Sequence, residues 1–426
     1  MNGHQWSTTV TVASVAPPRL LDVVRLAAGR GVFRLASQLM AVALAVVWGA
    51  AVFGQFANAM GLCAWLLFVP TAAEKAALKA LPRMRMLTPH VARLVVRIAA
   101  APVLALLAAF VAAVTIDPSG TVALYLAAAC WAAATGLLMT VSGLHRLRGR
   151  PLLDAGAFGV LTATVPAATT VTWLAGWTPI AHLSLLLTGL LAITASSLAA
   201  LPRDWVLGGG ANRKLLPALG RSVWLLGLSE LLDVLALSTV YLALTLAGRT
   251  TDSGPLYLAV LVASMVGALL LYQLKLYQPA TSARLRGTGG ASGRARTFRL
   301  LRAAERGGLA FAAVVAAMMA LPAGRAVLAT ESYAVLGAIL AVEVVLSTMV
   351  IYANFLLENT NSSVLTLTST AAVVGLLATG LIALAVVPWL GAAGGLTALV
   401  LATAVKARAL RVLLVRRHPE LHTSTY

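Results

Sequence analysis

The sequence predicts an all-α polytopic membrane protein with about twelve transmembrane helices in two six-helix bundles. Three observations predict it. Apolar runs of about 20 residues, long enough to cross a ~30 Å hydrocarbon core, recur along the whole chain. Hydrophobic residues make up 60% of the 426 positions and charged residues only 11%, against roughly 25% charged in a soluble domain. Lysine and arginine crowd into alternate loops and nearly vanish from the others. An outer-membrane barrel would need short strands of alternating polarity, and these are absent.

Taken in order, the spans are 31–52, 55–78, 92–116, 119–143, 153–175, 179–201, 221–247, 255–277, 303–322, 332–356, 362–387 and 392–415. Proline or glycine punctuates many of the connections: Phe53-Gly54, Asp117-Pro118, Arg150-Pro151, Trp177-Thr178-Pro179 and Gly254-Pro255. Pro70, Pro102 and Pro166 fall inside spans, where neighbouring helices can satisfy the freed carbonyls, and mark candidate kinks. Basic residues fill the segments before span 1, after spans 2, 4, 6 and 8, and after span 12, whereas the alternate loops hold only Arg249 and Arg325. By the positive-inside rule both termini are cytoplasmic, in the cytoplasmic (inner) membrane. Residues 1–30 then form a cytoplasmic N-terminal segment, 31–202 one bundle, 203–220 a cytoplasmic linker, 221–416 the second bundle and 417–426 a cytoplasmic tail. Both bundles start from the same side, so a repeat would relate by an axis along the membrane normal. The longest loop, 278–302, has a Gly/Ser-rich centre that reads as a flexible linker.

The net charge of +19 does not point to nucleic acid, because it sits in short loops and serves topology and contact with anionic lipid headgroups. Cys63 and Cys130, both inside apolar runs, support neither a disulfide framework nor a metal site. Residues 1–18 are polar and show no cleavable signal peptide. No phosphate-loop motif, metal motif or cofactor signature appears, and nearly empty outer loops argue against an enzyme.

The chemistry concentrates on a few acids inside spans. Glu230 and Asp233, three residues apart in span 7, share a helix face near the bilayer centre. Glu343 is similarly central in span 10. An ionised carboxylate there costs about 3 kcal/mol or more, so such groups are paired or used. Carboxylates from two helices at one depth can bind Na⁺ or share a proton. No base reaches that depth in the second half on this reading, since Lys275 falls near the end of span 8. Asp154, a few residues into span 5, is expected to pair with Arg150. Gln38, Asn58 and the threonines of span 5 either line a polar path or bond to nearby backbone. His182 reads as an interfacial histidine, and Trp48 and most other tryptophans as interfacial anchors.

Three patches resemble a known family. VFGQFANAMGLCAWLLFVPTAAEK, LYQPATSARL with Pro279 and Ser282, and VVPWLGAAGGLTALVLATAVKARALRVLLVRR with Pro388 and Gly391 are similar to polysaccharide and O-antigen flippases. These belong to the multidrug/oligosaccharidyl-lipid/polysaccharide (MOP) exporter superfamily. The resemblance covers the layout of nearly the whole chain. It implies a V-shaped, alternating-access transporter that flips lipid-linked oligosaccharide or polysaccharide precursors. It also implies ion-coupling carboxylates on helices 7 and 10, here Glu230 or Asp233 and Glu343, with H⁺ or Na⁺ as the coupling ion. A pyrophosphate-bearing cargo implies basic groups at the cytoplasmic ends of spans, and Arg34, Lys75, Arg97, Lys275 and Lys406 are the candidates. Glycosyltransferases or a polymerase of the same pathway are the implied protein partners, beside membrane lipids. A multidrug or natural-product exporter of amphipathic small molecules, and a non-transporting scaffold of a polysaccharide-assembly complex, remain as alternatives.

Overall fold

The computed structural model describes residues 20–68, 70–74, 88–207, 215–285, 289–329, 333–360 and 365–419. The described residues are almost wholly helical: α1 (Leu20–Cys63), α2 (Thr88–Ile116), α3 (Thr121–Leu147), α4 (Pro151–Ala175), α5 (Pro179–Ala199), α6 (Arg203–Val206), α7 (Leu215–Leu246), α8 (Ser253–Arg284), α9 (Gly289–Ala320), α10 (Pro322–Ala329), α11 (Tyr333–Thr360) and α12 (Leu365–Arg417).

Ten stretches among the described residues are helical, long and apolar enough to cross a membrane. Two of them are folded back on themselves. In α1 the backbone leaves helical geometry at Gly49 (φ 70°, ψ 174°), a conformation open to glycine. Before the bend Gln38 bonds to Leu261 of α8. After it Asn58 meets Ser253 at the start of α8, and Phe68 packs on Trp224 near the start of α7. The chain therefore runs up along α8 and back down along α7. In α12 the bend is at Gly391 (φ 51°, ψ −128°), and Gly375 on the first arm faces Lys406 on the second. Among the described residues, two hairpins and eight single helices give twelve segments of spanning length. The first bend falls at Gly49, five residues before the expected Phe53-Gly54 break, because helix resumes at Ala50 and carries Phe53 and Gly54 into contact with the second half.

The three prolines marked as candidate kinks all stand within apolar helical stretches. Pro102 and Pro166 lie inside continuous helices. Pro70 follows a 3₁₀ turn at Ala64–Leu67, and the Thr140 hydroxyl of α3 donates to its carbonyl at 2.6 Å. The expected flexible linker at 278–302 is corrected for its described residues, with 286–288 lying outside them. Residues 278–284 continue α8, and 289–302 form the first turns of α9. Thr297, Phe298, Leu301, Ala304 and Glu305 are buried at three- and four-residue spacing, so this segment is an amphipathic helix packed on its neighbours.

Buried apolar side chains form two clusters, one within residues 33–201 and one within 240–414. Each is centred on a helix rich in small residues. In α3 these are Ala127, Ala128, Ala133, Ala134, Gly136 and Gly143; in the second arm of α12, Ala392, Ala393, Gly394, Gly395, Ala398 and Ala407. Lipid offers no hydrophobic drive between helices, so close backbone approach through small residues supplies the packing.

Candidate functional site

Among the described helices of the second half, α7 packs most extensively on α12, and that contact carries a charge pair. Lys406 Nζ donates to Asp233 Oδ1 at 2.5 Å. Lys406 sits 15 residues beyond Gly391, in the middle of its arm, with its stem laid over Gly375, where a side chain would crowd it. The lysine side chain is 9% exposed and the carboxylate 45%. This overturns two expectations. Lys406 is not at the end of a span, and Asp233 does have a basic neighbour at its own depth. The hairpin about Gly391 places residue 406 beside residue 375, and α7 packs against that face.

Glu230 lies one turn before Asp233, half-buried and engaged with its own partners. Glu343, in α11, is half-buried and accepts a hydrogen bond from Ser347 at 3.4 Å. It stands about 15 Å from the start of α11, and Asp233 about 20 Å from the end of α7, at 1.5 Å per residue. The depths are similar. However, α7 and α11 each pack on α12 rather than extensively on each other, so the acids are not brought into one cluster. Among the described residues no group of three or more His, Cys, Asp or Glu could hold a metal.

Two ionic groupings escaped the sequence reading. In the first half Arg146 of α3 meets Glu74 at 2.5 Å and Asp154 of α4 at 3.1 Å, and both acids are buried. Asp154 therefore pairs with Arg146 and not with Arg150. Asp154 stands one turn into α4 with its side chain turned inward, and α3 presents Arg146 there. In the second half Glu305 of α9 accepts from Arg408 at 2.8 Å and lies 2.7 Å from Arg411 of α12. Both groupings lie toward the arginine-rich ends of their helices.

The polar candidates Gln38 and Asn58 form a seam between the halves. Gln38 Nε2 donates to the Leu261 carbonyl at 2.9 Å. Asn58, fully buried, donates to the Tyr241 carbonyl (3.2 Å) and to Ser253 Oγ (3.0 Å), and accepts from Tyr125 Oη (2.6 Å). The Thr245 hydroxyl lies 3.2 Å from Asn58 Oδ1 and 3.0 Å from the Tyr241 carbonyl, with one proton to share between them. Around this knot stand Phe53, Phe56 and Tyr257, their ring centroids 6.0 to 6.4 Å apart. His182 is wholly buried, not interfacial, and bonds to Thr172 at 2.8 Å. Trp48 donates to the Trp177 carbonyl at 2.9 Å and packs edge-on against His182, so it belongs to this core rather than to an interfacial belt. Thr162, Thr164 and Thr169 each bond to the carbonyl one turn back.

Of the remaining basic candidates, Arg34 is half-buried and Arg97 exposed. Lys275 lies on α8, but its side chain and the whole of Lys75 fall outside the described residues. The basic candidates are thus spread over several helices, and among the described contacts Lys406 is seen to join an acid of the coupling set, Asp233.

No family model matches the chain, and no curated relative matches it by sequence. Solved structures do share its fold. An inward-facing multidrug resistance MATE family transporter of the MOP superfamily aligns over 95% of this chain and 96% of its own, with 17% identity and a TM-score of 0.54. A MATE structure in complex with MaL6 aligns over 94% and 97%, with 16% identity and a TM-score of 0.51. A MATE structure in complex with MaD5 aligns over 94% and 96%, with 17% identity and a TM-score of 0.50. At this identity the likeness is one of fold. The chain is a multi-pass helical membrane protein with MATE transporters as its structural neighbours.

Proposed function

We propose that this protein is an alternating-access flippase of the cytoplasmic membrane, moving a lipid-linked oligosaccharide or polysaccharide precursor, with its arginine-rich end and both termini in the cytoplasm. The observation that carries this reading is the Lys406–Asp233 pair. A mid-helix ammonium is expensive in a bilayer. Here it is held by a carboxylate half-exposed at the protein surface, with a second acid one turn away. Such a pair suits a cargo with an anionic headgroup and a coupling cation: the anion takes the lysine while H⁺ or Na⁺ takes the carboxylate. Glu343 at similar depth is assigned to the same coupling. The sequence patches shared with polysaccharide flippases support the choice of cargo.

The test is reconstitution. Full-length protein in proteoliposomes is expected to expose a fluorescent lipid-linked oligosaccharide to an impermeant quencher, faster under an imposed H⁺ or Na⁺ gradient. A second reading, a cation-coupled exporter of small amphipathic molecules, is favoured by the three mid-span carboxylates and the multidrug transporter sharing the fold. Gradient-driven efflux of a cationic dye with no movement of the lipid-linked glycan would select it. Movement of neither would reject transport of both cargo classes.

A further inference from the structure

We infer that Asn58 is the latch that holds the two halves shut at the arginine-poor end. The end is defined by the bends and loops near residues 49, 117, 177, 250, 322 and 391. Three observations converge on Asn58. Its side chain reaches across the interface, and the amide hydrogens go to Tyr241 of α7 and Ser253 of α8, both in the second half. The backbone beside it leaves no gap: a Cβ on Gly54 would fall 2.7 Å from the Thr250 carbonyl and 2.9 Å from Thr251 Cα, and one on Gly61 would strike the Tyr241 ring. A second cross-link follows one turn on, where Ser238 Oγ donates to the Gly61 carbonyl at 3.0 Å.

The chemistry suits a latch. A buried asparagine must have partners for its donors and acceptors, and here they come from both halves at once. Tyr125 Oη belongs to the first half and keeps its bond to Asn58 if the halves part. The bonds to Tyr241, Ser253 and Thr245 do not. Parting therefore breaks a defined set while Asn58 stays oriented, ready to re-form it. Each neutral hydrogen bond contributes modestly, enough in a small set to bias a two-state equilibrium without locking it.

This inference rests on the alternating-access reading, and the experiment separates the two. Spin labels are placed at Ser119→Cys and Ala323→Cys, both exposed at the arginine-poor end and one in each half, on a Cys63→Ala/Cys130→Ala background of the full chain in lipid nanodiscs. Distances are read by pulsed electron resonance. Asn58→Leu is expected to raise the longer-distance population about tenfold, and Ser253→Ala to raise it by a smaller factor. Tyr125→Phe, which removes a bond inside the first half, is expected to leave it within about twofold. An unchanged distribution in both Asn58→Leu and Ser253→Ala overturns the latch. So does Tyr125→Phe moving it as far as Ser253→Ala, which would mean general packing. If Asn58→Leu fails to fold, Ser253→Ala and Thr245→Val decide alone, with no shift in either overturning the proposal. A longer population in the parent that no variant changes leaves the alternating halves standing and removes only the latch. A single short distance in every protein, including a transport-active parent, removes both.

Discussion

Arg146 with its two acids and Lys406 with its one are both ionic groupings within helices of an apolar protein, yet they are sealed to very different degrees. In the first half both carboxylates are nearly sealed, at 2% and 3% side-chain exposure, and one planar guanidinium spans them. Arginine suits this because its donors are fixed in a fork and it stays charged. In the second half the partner is lysine, a single flexible point charge, and its carboxylate is 45% exposed. The first grouping staples α3 to α4 and to the end of the second span. In the second the acid stands half-open at the protein surface, which leaves it room to exchange partners. Burial of the acid, more than the presence of a salt bridge, separates a staple from a site.

The sharpest way to break the comparison is Arg146→Met. It leaves two sealed acids without this base, and removing one partner of a buried pair costs about 3–5 kcal/mol. The expected result is little folded protein after solubilisation, read by size-exclusion profile, with much of it restored by adding Glu74→Gln and Asp154→Asn. Asp233→Asn should behave in the opposite manner. Transport is expected to fall on the order of tenfold or more, and the apparent unfolding temperature to drop by only a few degrees, since the asparagine carbonyl can still accept a hydrogen bond from the lysine. Equal loss of fold in the two variants would erase the distinction. Gly375→Ala adds a Cβ about 3.2 Å from Lys406 Cβ. It should crowd the lysine stem at a cost of about 1 kcal/mol and lower transport less than Asp233→Asn does. Smallest is Arg408→Ala. Its side chain is 65% exposed and Glu305 keeps Arg411, so stability should change by under about 1 kcal/mol in a thermal shift assay.

Much of the fold was legible because the bilayer imposes length and hydropathy on each span. The spans from 92 to 201 lie within a few residues of α2 to α5 for that reason. The first turns of α9 were hidden by composition: glycine and serine suggested a linker, while Phe298, Leu301 and Glu305 already carried helical spacing. The coupling acids were legible as unusual groups in apolar runs, but their surroundings were not. Lys406 was readable as mid-span by counting from Gly391, yet its pairing depends on a hairpin register and on α12 facing α7, and neither is a local property. Asn58 and Gln38 were visible as polar residues in spans. That they stitch the halves together, and do not simply line a path, requires knowing which helices meet.

The Lys406–Asp233 pair joins positions 173 residues apart. At about 5–20 residues per second, roughly 9 to 35 s of synthesis separate the two. For that interval Asp233 occupies a nascent membrane protein whose lysine has not been made. The carboxylate must borrow a proton, a water-filled passage or a neighbouring chain until the hairpin about Gly391 arrives. A translation pause, or a slow-inserting hairpin, would lengthen that exposure. The same contact that completes the folded protein is thus one of the last that its synthesis allows.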